Sequence, residues 1–170
     1  MMPLIAPPPP PGFIRLRFTG GANELSRLIK AGTHSPNISH AESVLPDGRI
    51  AAALVNCLFG LYPAHYGDDL LTQILVDIRV TPAQHRRWLD SILSMVGAPF
   101  DVTALAGQVI GITSLHQAGA YFCSSAQMRA LTDAGLYRST PGDIVRMIPI
   151  ELYRLVFRDP RAHVHPLEHS

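Results

Sequence analysis

The chain has 170 residues, 47% of them hydrophobic and 16% charged, with a formal net charge of +1. That length suits one well-packed domain and is short for two. The balanced charge, with Lys30 the only lysine and no basic stripe interleaved with aromatics, excludes a nucleic-acid footprint. No apolar run reaches the roughly 18 residues of a membrane-spanning helix.

The N-terminal "MMPLIAPPPPPG" lacks the basic segment and apolar core of a secretory leader. Pro7–Pro11 predict a polyproline II arm over 1–12, disordered ahead of a single domain over 13–158. "FIRLRFT" (13–19) alternates apolar and polar, the mark of a strand with one wet face. "NELSRLIKAGT" (23–33) predicts a short helix with Leu25, Leu28 and Ile29 on one side. "NISHAESVL" (37–45), the Asp47-Gly48 turn signal and "IAAALV" (50–55) predict a hairpin. "LTQILVDIRV" (71–80) reads as a strand. "TPAQHRRWLDSILSMVG" (81–97) reads as a helix, with Thr81 as N-cap, Pro82 at its first position and Gly97 after its end. The apolar segment 100–115 predicts a buried helix. A further helix opens at Cys123, with Ala126, Ala130, Leu131 and Ala134 at helical spacing and Gly135 at its stop. "TPGDIVRMI" (140–148) repeats the Thr-Pro helix start, "ELYRLVF" (151–157) reads as a last strand, and 159–170 as a flexible tail. Strands and helices mix without a βαβ rhythm, so the class is α+β.

Two features point to chemistry. Cys123 falls in the first turn of its helix, where free N–H groups and the helix dipole favour a thiolate. In the strand 37–45, alternation puts Ile38, His40, Glu42 and Val44 on one face. A two-residue turn at Asp47-Gly48 would set His40 opposite Val55, Glu42 opposite Ala53 and Val44 opposite Ala51. Two polar groups on so small and apolar a face need partners, because unpaired burial costs a few kcal/mol. Glu42 could hold one ring nitrogen of His40 and leave the other free, as a base-orienting carboxylate does; a structural His–Glu pair satisfies the same pattern.

"LSRLIKAGTHSPNISHAESVLPDGRIAAAL" resembles the opening of the circularly permuted NlpC/P60 (papain-like) superfamily, in which the histidine strand precedes the cysteine helix. Ser39, His40, Glu42 and Pro46-Asp47-Gly48 carry that likeness. "GAPFDVTALAGQVIG" (97–111) resembles a Gly-x-x-Tyr-Asp segment, with Phe100 for Tyr. "YFCSSAQMRALTDAGL" resembles a Cys-Ser-Glu helix, with Ser125 for Glu, and "TPGDIVRM" a Pro-Gly-Asp segment. The resemblance implies a papain-like core: an antiparallel sheet packed on helices, with the nucleophile at a helix N-terminus. It further implies Cys123 as nucleophile, His40 as base and Glu42 as the polarising third residue, acting without metal or cofactor. The reaction so implied is cleavage of an amide bond in a peptide or peptidoglycan stem peptide through a thioester. Such a bacterial or phage protein would act in the cytoplasm or be delivered as a phage or effector protein. An acyltransferase or deacylase of the same fold, acting on lipid or thioester substrates, and a non-catalytic binding module are the competing readings. The Cys123 N–H is one expected oxyanion donor; Gln117, six residues earlier, is of a type able to supply a second.

The remaining candidates read as structural. Cys57 and Trp88 fall at core positions. His65 lies near Asp68 and Asp69 in a loop, and His85 sits beside Arg86 and Arg87 on a solvated face. His34 and His116 lie in loops, and His163, His165 and His169 in the tail. No nucleophile elbow, P-loop or dinucleotide fingerprint is present.

Overall fold

The computed structural model describes residues 5–54, 58–66, 70–110, 117 and 119–167. Six strands form one antiparallel sheet: β1 (Phe13–Gly21), β2 (His40–Val44), β3 (Ile50–Ala53), β4 (Phe59–Tyr62), β5 (Leu70–Arg79) and β6 (Ala162–Leu167), in the order β4-β3-β2-β1-β5-β6. The helices are α1 (Glu24–Gly32), α2 (Pro82–Ser94), α3 (Val102–Ile110), α4 (Cys123–Asp133), α5 (Pro141–Arg146) and α6 (Pro149–Phe157). The α+β class and the sheet packed on helices therefore stand.

Alternation along β1 and β5 sorts their side chains between two faces. Ile14, Leu16 and Phe18 stand opposite Ile78, Val76 and Ile74, and join one core with Trp88 of α2, Ala126 and Leu131 of α4, and Leu152 and Val156 of α6. Each large apolar side chain fully buried there contributes roughly 1.5–3 kcal/mol. The helices that hold this core are firmly begun. Thr81 caps α2 in a reciprocal box with Gln84, and Thr140 caps α5 in the same way with Asp143.

The other face of β1 is not wet. Arg15 and Arg17 are buried there beside Asp77 and Gln73 of β5. The proline arm covers this face: Arg15 donates to the carbonyls of Pro7 at 2.6 Å and Pro8 at 3.1 Å, and Ala6 packs with Val44, Ile50, Ala52 and Leu75. The arm over 5–12 is thus docked against the domain rather than disordered, because the buried guanidinium needs its carbonyls.

Three further expectations are corrected. Residues 151–157 are helix, not strand: Pro149 starts α6, and Leu152 and Val156, four apart, share its buried side. Residues 162–167 are not a loose tail; β6 pairs with β5 from Ala162↔Ile78 to Leu167↔Gln73, turning His163 and His165 outward. Leu28 of α1 is 54% exposed rather than sharing the buried side with Ile29. The hairpin exists, but its loop is three residues, Pro46-Asp47-Gly48. Leu45 N–H donates to Arg49 O at 2.8 Å, and Gly48 takes the left-handed φ of 84° that such a loop requires. The register becomes Ser43↔Ala51 and Val44↔Ile50. That slip of one residue moves Ala51 and Ala53 to the helix face and leaves Ala52 on the face of Glu42.

Candidate functional site

The site gathers where β2 begins. Gly20 lets the chain approach it, since a Cβ there would sit 1.9 Å from the carbonyl oxygen of Asn37. Ser39 N–H then donates to Thr19 O at 2.9 Å, and the Ser39 and Ser26 hydroxyls meet at 2.6 Å, tying α1 to the strand. His40 and Glu42 follow on the face of Arg17.

The structure brings His40 and Glu42 together: Nε2 lies 3.3 Å from Oε1. Glu42 Oε2 is in turn 3.3 Å from a terminal nitrogen of Arg17. Both contacts are at ion-pair distance without hydrogen-bond alignment, and neither His40 Nε2 nor Glu42 Oε2 has another partner. Burial, reinforced by the Arg17 charge, lowers His40 to about 4, so the ring is neutral at pH 7. Burial pushes Glu42 up to about 7, against the opposing pull of Arg17. Arg17, Gln73 and the Tyr66 carbonyl belong to this group, and sequence reasoning missed all three. The available signal was pairwise: arginines at 15 and 17 on one strand, and Gln73 and Asp77 on one face of another.

Cys123 approaches the same strand from the other side. α4 opens at Cys123, and Ser125 Oγ accepts from Phe122 N–H at 3.0 Å, doing the capping work of a glutamate at that position. Further along α4, Gln127 accepts from the Ser43 hydroxyl and donates to Ala51 O. α4 thus packs on the face of Ala41 and Ser43, while His40 and Glu42 face away from it. The thiol lies beside the backbone of Ala41, the residue between the two, and His40 Nε2 has no hydrogen-bond partner. Cys123 is 1% exposed, and burial pushes its thiol up to about 12. The thiolate expected from the helix N-terminus is therefore not the resting form; desolvation outweighs the helix end.

A cavity of about 270 Å³ opens beside this group. Ser39, His40, Glu42 and Tyr66 form part of its polar wall, and Phe100 and Phe122, edge to face at 5.8 Å, part of its apolar one. Gln117 is exposed and its backbone N–H donates to Asp101. His65 is exposed, and His85 is half-buried against Trp88 rather than solvated. Cys57, Asp68, Asp69, His116 and His169 lie outside the described residues. Among the described residues no helix is long and apolar enough to cross a membrane.

No protein-family model matches the chain, and no curated protein matches it. Four chains of solved structures do. One is the crystal structure of metalloprotein yiiX from Escherichia coli O157:H7, DUF1105, with a TM-score of 0.63 and 17% identity over 94% of this chain and 99% of that one. At that identity the likeness establishes the fold alone. It overturns the assignment to the permuted NlpC/P60 superfamily, because the matching structure carries a different family description. The motifs behind that assignment each answer a local demand. Pro46-Asp47-Gly48 is a hairpin loop, Asp101 receives the Ala104 N–H at the start of α3, and Thr140-Pro141-Gly142-Asp143 is a capping box.

Proposed function

We propose that the chain is a cysteine-dependent hydrolase that cleaves an amide bond in a peptide or peptidoglycan stem peptide. One observation carries the reading: the thiol that opens α4 lies against β2 at Ala41, the residue between His40 and Glu42 in the chain, and Phe122, next to the cysteine, shares the wall of a cavity with those two side chains. The ring of His40 is neutral at pH 7 and so has a nitrogen free to take a proton, and the reaction requires this first residue of β2 to turn round the strand towards the thiol. Sγ attacks the carbonyl carbon as its proton passes to His40. The C–N bond then breaks, His40 protonates the leaving amine, and water releases the acid from the thioester. Proton transfer accompanies attack, because the resting thiol and ring are both neutral. Action in the cytoplasm, or delivery as a phage or effector protein, belongs to the same proposal.

The matching structure is described as that of a metalloprotein. Among the described residues no group of three His, Cys, Asp or Glu side chains gathers as a ligand set. The fixed charge of Arg17 beside Glu42 also opposes a cation.

The test is acylation by p-nitrophenyl acetate, followed by release of p-nitrophenolate and by intact and peptide mass. The expected result is an acetyl adduct on Cys123 in excess over Cys57, abolished in Cys123→Ala and slowed about 10²-fold or more in His40→Ala. An adduct spread equally over both cysteines, or unaffected by His40→Ala, leaves a binding module, which the buried neutral thiol favours. An adduct that persists in water but passes to an added amine or alcohol identifies an acyltransferase.

A further inference from the structure

The face of the sheet away from α4 holds a charged group that this chemistry has not used. Arg17 is fully buried in the middle of β1. Its Nε donates to Gln73 Oε1 at 2.6 Å, and its terminal nitrogens donate to the Tyr66 carbonyl at 3.3 and 3.4 Å. One of them also lies 3.3 Å from Glu42 Oε2. A guanidinium keeps its charge and presents its donors in a rigid fork, so two hydrogen-bonded acceptors and a carboxylate at ion-pair distance determine its plane. Such a group is tolerated in a core only when its charge and donors are met.

We propose that Arg17 is a positioning residue for His40. It clamps Oε2 of Glu42 so that Oε1 is turned to Nε2 of the imidazole. A contact chain then runs from Gln73 on β5 through Arg17 on β1 to Glu42 and His40 on β2. Where Glu42 is ionised, above about 7, Nε2 faces a carboxylate oxygen, so the neutral ring carries its proton on Nε2 and leaves Nδ1 as the base. Among the described residues Arg17 from β1 is the charged group facing His40 and Glu42; Gln73 and the Tyr66 carbonyl are neutral, and the Cys123 thiol from α4 lies on the opposite face of β2. The kinetic part of this inference rests on the proposed hydrolase; the tautomer does not.

The experiment is NMR of ¹⁵N-histidine-labelled protein in a Cys123→Ser background, with His40→Gln to assign the signal. In the parent, His40 should show the Nε2–H tautomer and protonate well below its ordinary value. Arg17→Lys keeps the charge but loses the fork. It should mix the tautomers and, with Cys123 restored, lower kcat about 10²-fold with little change in KM. The double variant Arg17→Met/Glu42→Gln leaves no unpaired charge and serves if the lysine variant does not fold; there His40 should protonate about one pH unit higher or more. An unchanged tautomer and titration in either folded variant, with only Tm lowered, overturns the proposal and makes Arg17 structural. If Cys123 is never acylated the hydrolase reading falls, while the NMR result still decides the role of Arg17.

Discussion

On one face the sheet presents Ile14, Leu16, Phe18, Val76 and Ile78 to helices; on the other it presents Arg15, Arg17, Gln73 and Asp77 to the proline arm and the Tyr66 turn. Both faces are buried, and they hold together differently. The helix face gains from area removed from water, a sum of many small and non-directional contributions. The far face depends on partners: Arg15 is fixed by Asp77 at 2.6 and 2.7 Å, and Arg17 by Gln73 and Glu42. One wall tolerates volume-conserving change, whereas the other fails when a single partner is lost. The candidate site lies on both, with Cys123 on the first and His40 and Glu42 on the second.

The largest effect should come from the helix face. Trp88→Ala removes its most voluminous buried side chain and should cost about 3–5 kcal/mol in urea unfolding, independent of pH. On the far face, Asp77→Ala strands Arg15 and should cost about 3 kcal/mol, most of it recovered in Arg15→Met/Asp77→Leu. A single-variant cost typical of a surface ion pair, below about 1 kcal/mol, would show that water reaches this face and would erase the contrast.

The smallest effect is the sharpest in sign. His40 is lowered from 6.5 to about 4 in the folded chain. Between those values the unfolded chain takes up a proton that the folded one refuses, so stability falls as the pH drops through this window. The loss should reach about 2 kcal/mol near pH 4, discounted for the ring's partial exposure, and should disappear in His40→Gln. Glu42, raised from 4.5 to about 7, works in the opposite sense, its contribution being present at low pH and lost as the pH rises through 7. The two windows overlap between 4.5 and 6.5 and oppose one another there, so Glu42→Gln should remove the fall towards neutral pH and steepen the acid loss. The Trp88→Ala cost should follow neither window.

Much of the site was legible residue by residue. Alternation put His40 and Glu42 on one face, and helical spacing put Cys123 at a helix start; both hold. The side from which α4 would approach was not legible, because a strand offers two faces and the spacing of one element does not choose between them. The exposure of the thiol was equally hidden. A helix start announces a favourable field, while the desolvation that overrules it comes from neighbours distant in the chain.

What the sequence determined by itself was local. Capping threonines at 81 and 140, the left-handed glycines at 48, 97 and 135, and the periods of β1, β5, α2 and α4 follow from backbone and side-chain chemistry within a few residues. Tertiary structure decided everything that depends on what covers a surface. The apparent wet face of "FIRLRFT" is buried because the arm and Asp77 meet its arginines. "ELYRLVF" is a helix because its apolar positions four apart fit the sheet, and the histidine-rich end is a strand because β5 offers it an edge. Short-range chemistry names the elements; which faces are dry, and so which charges are held neutral, is set only when distant segments come together.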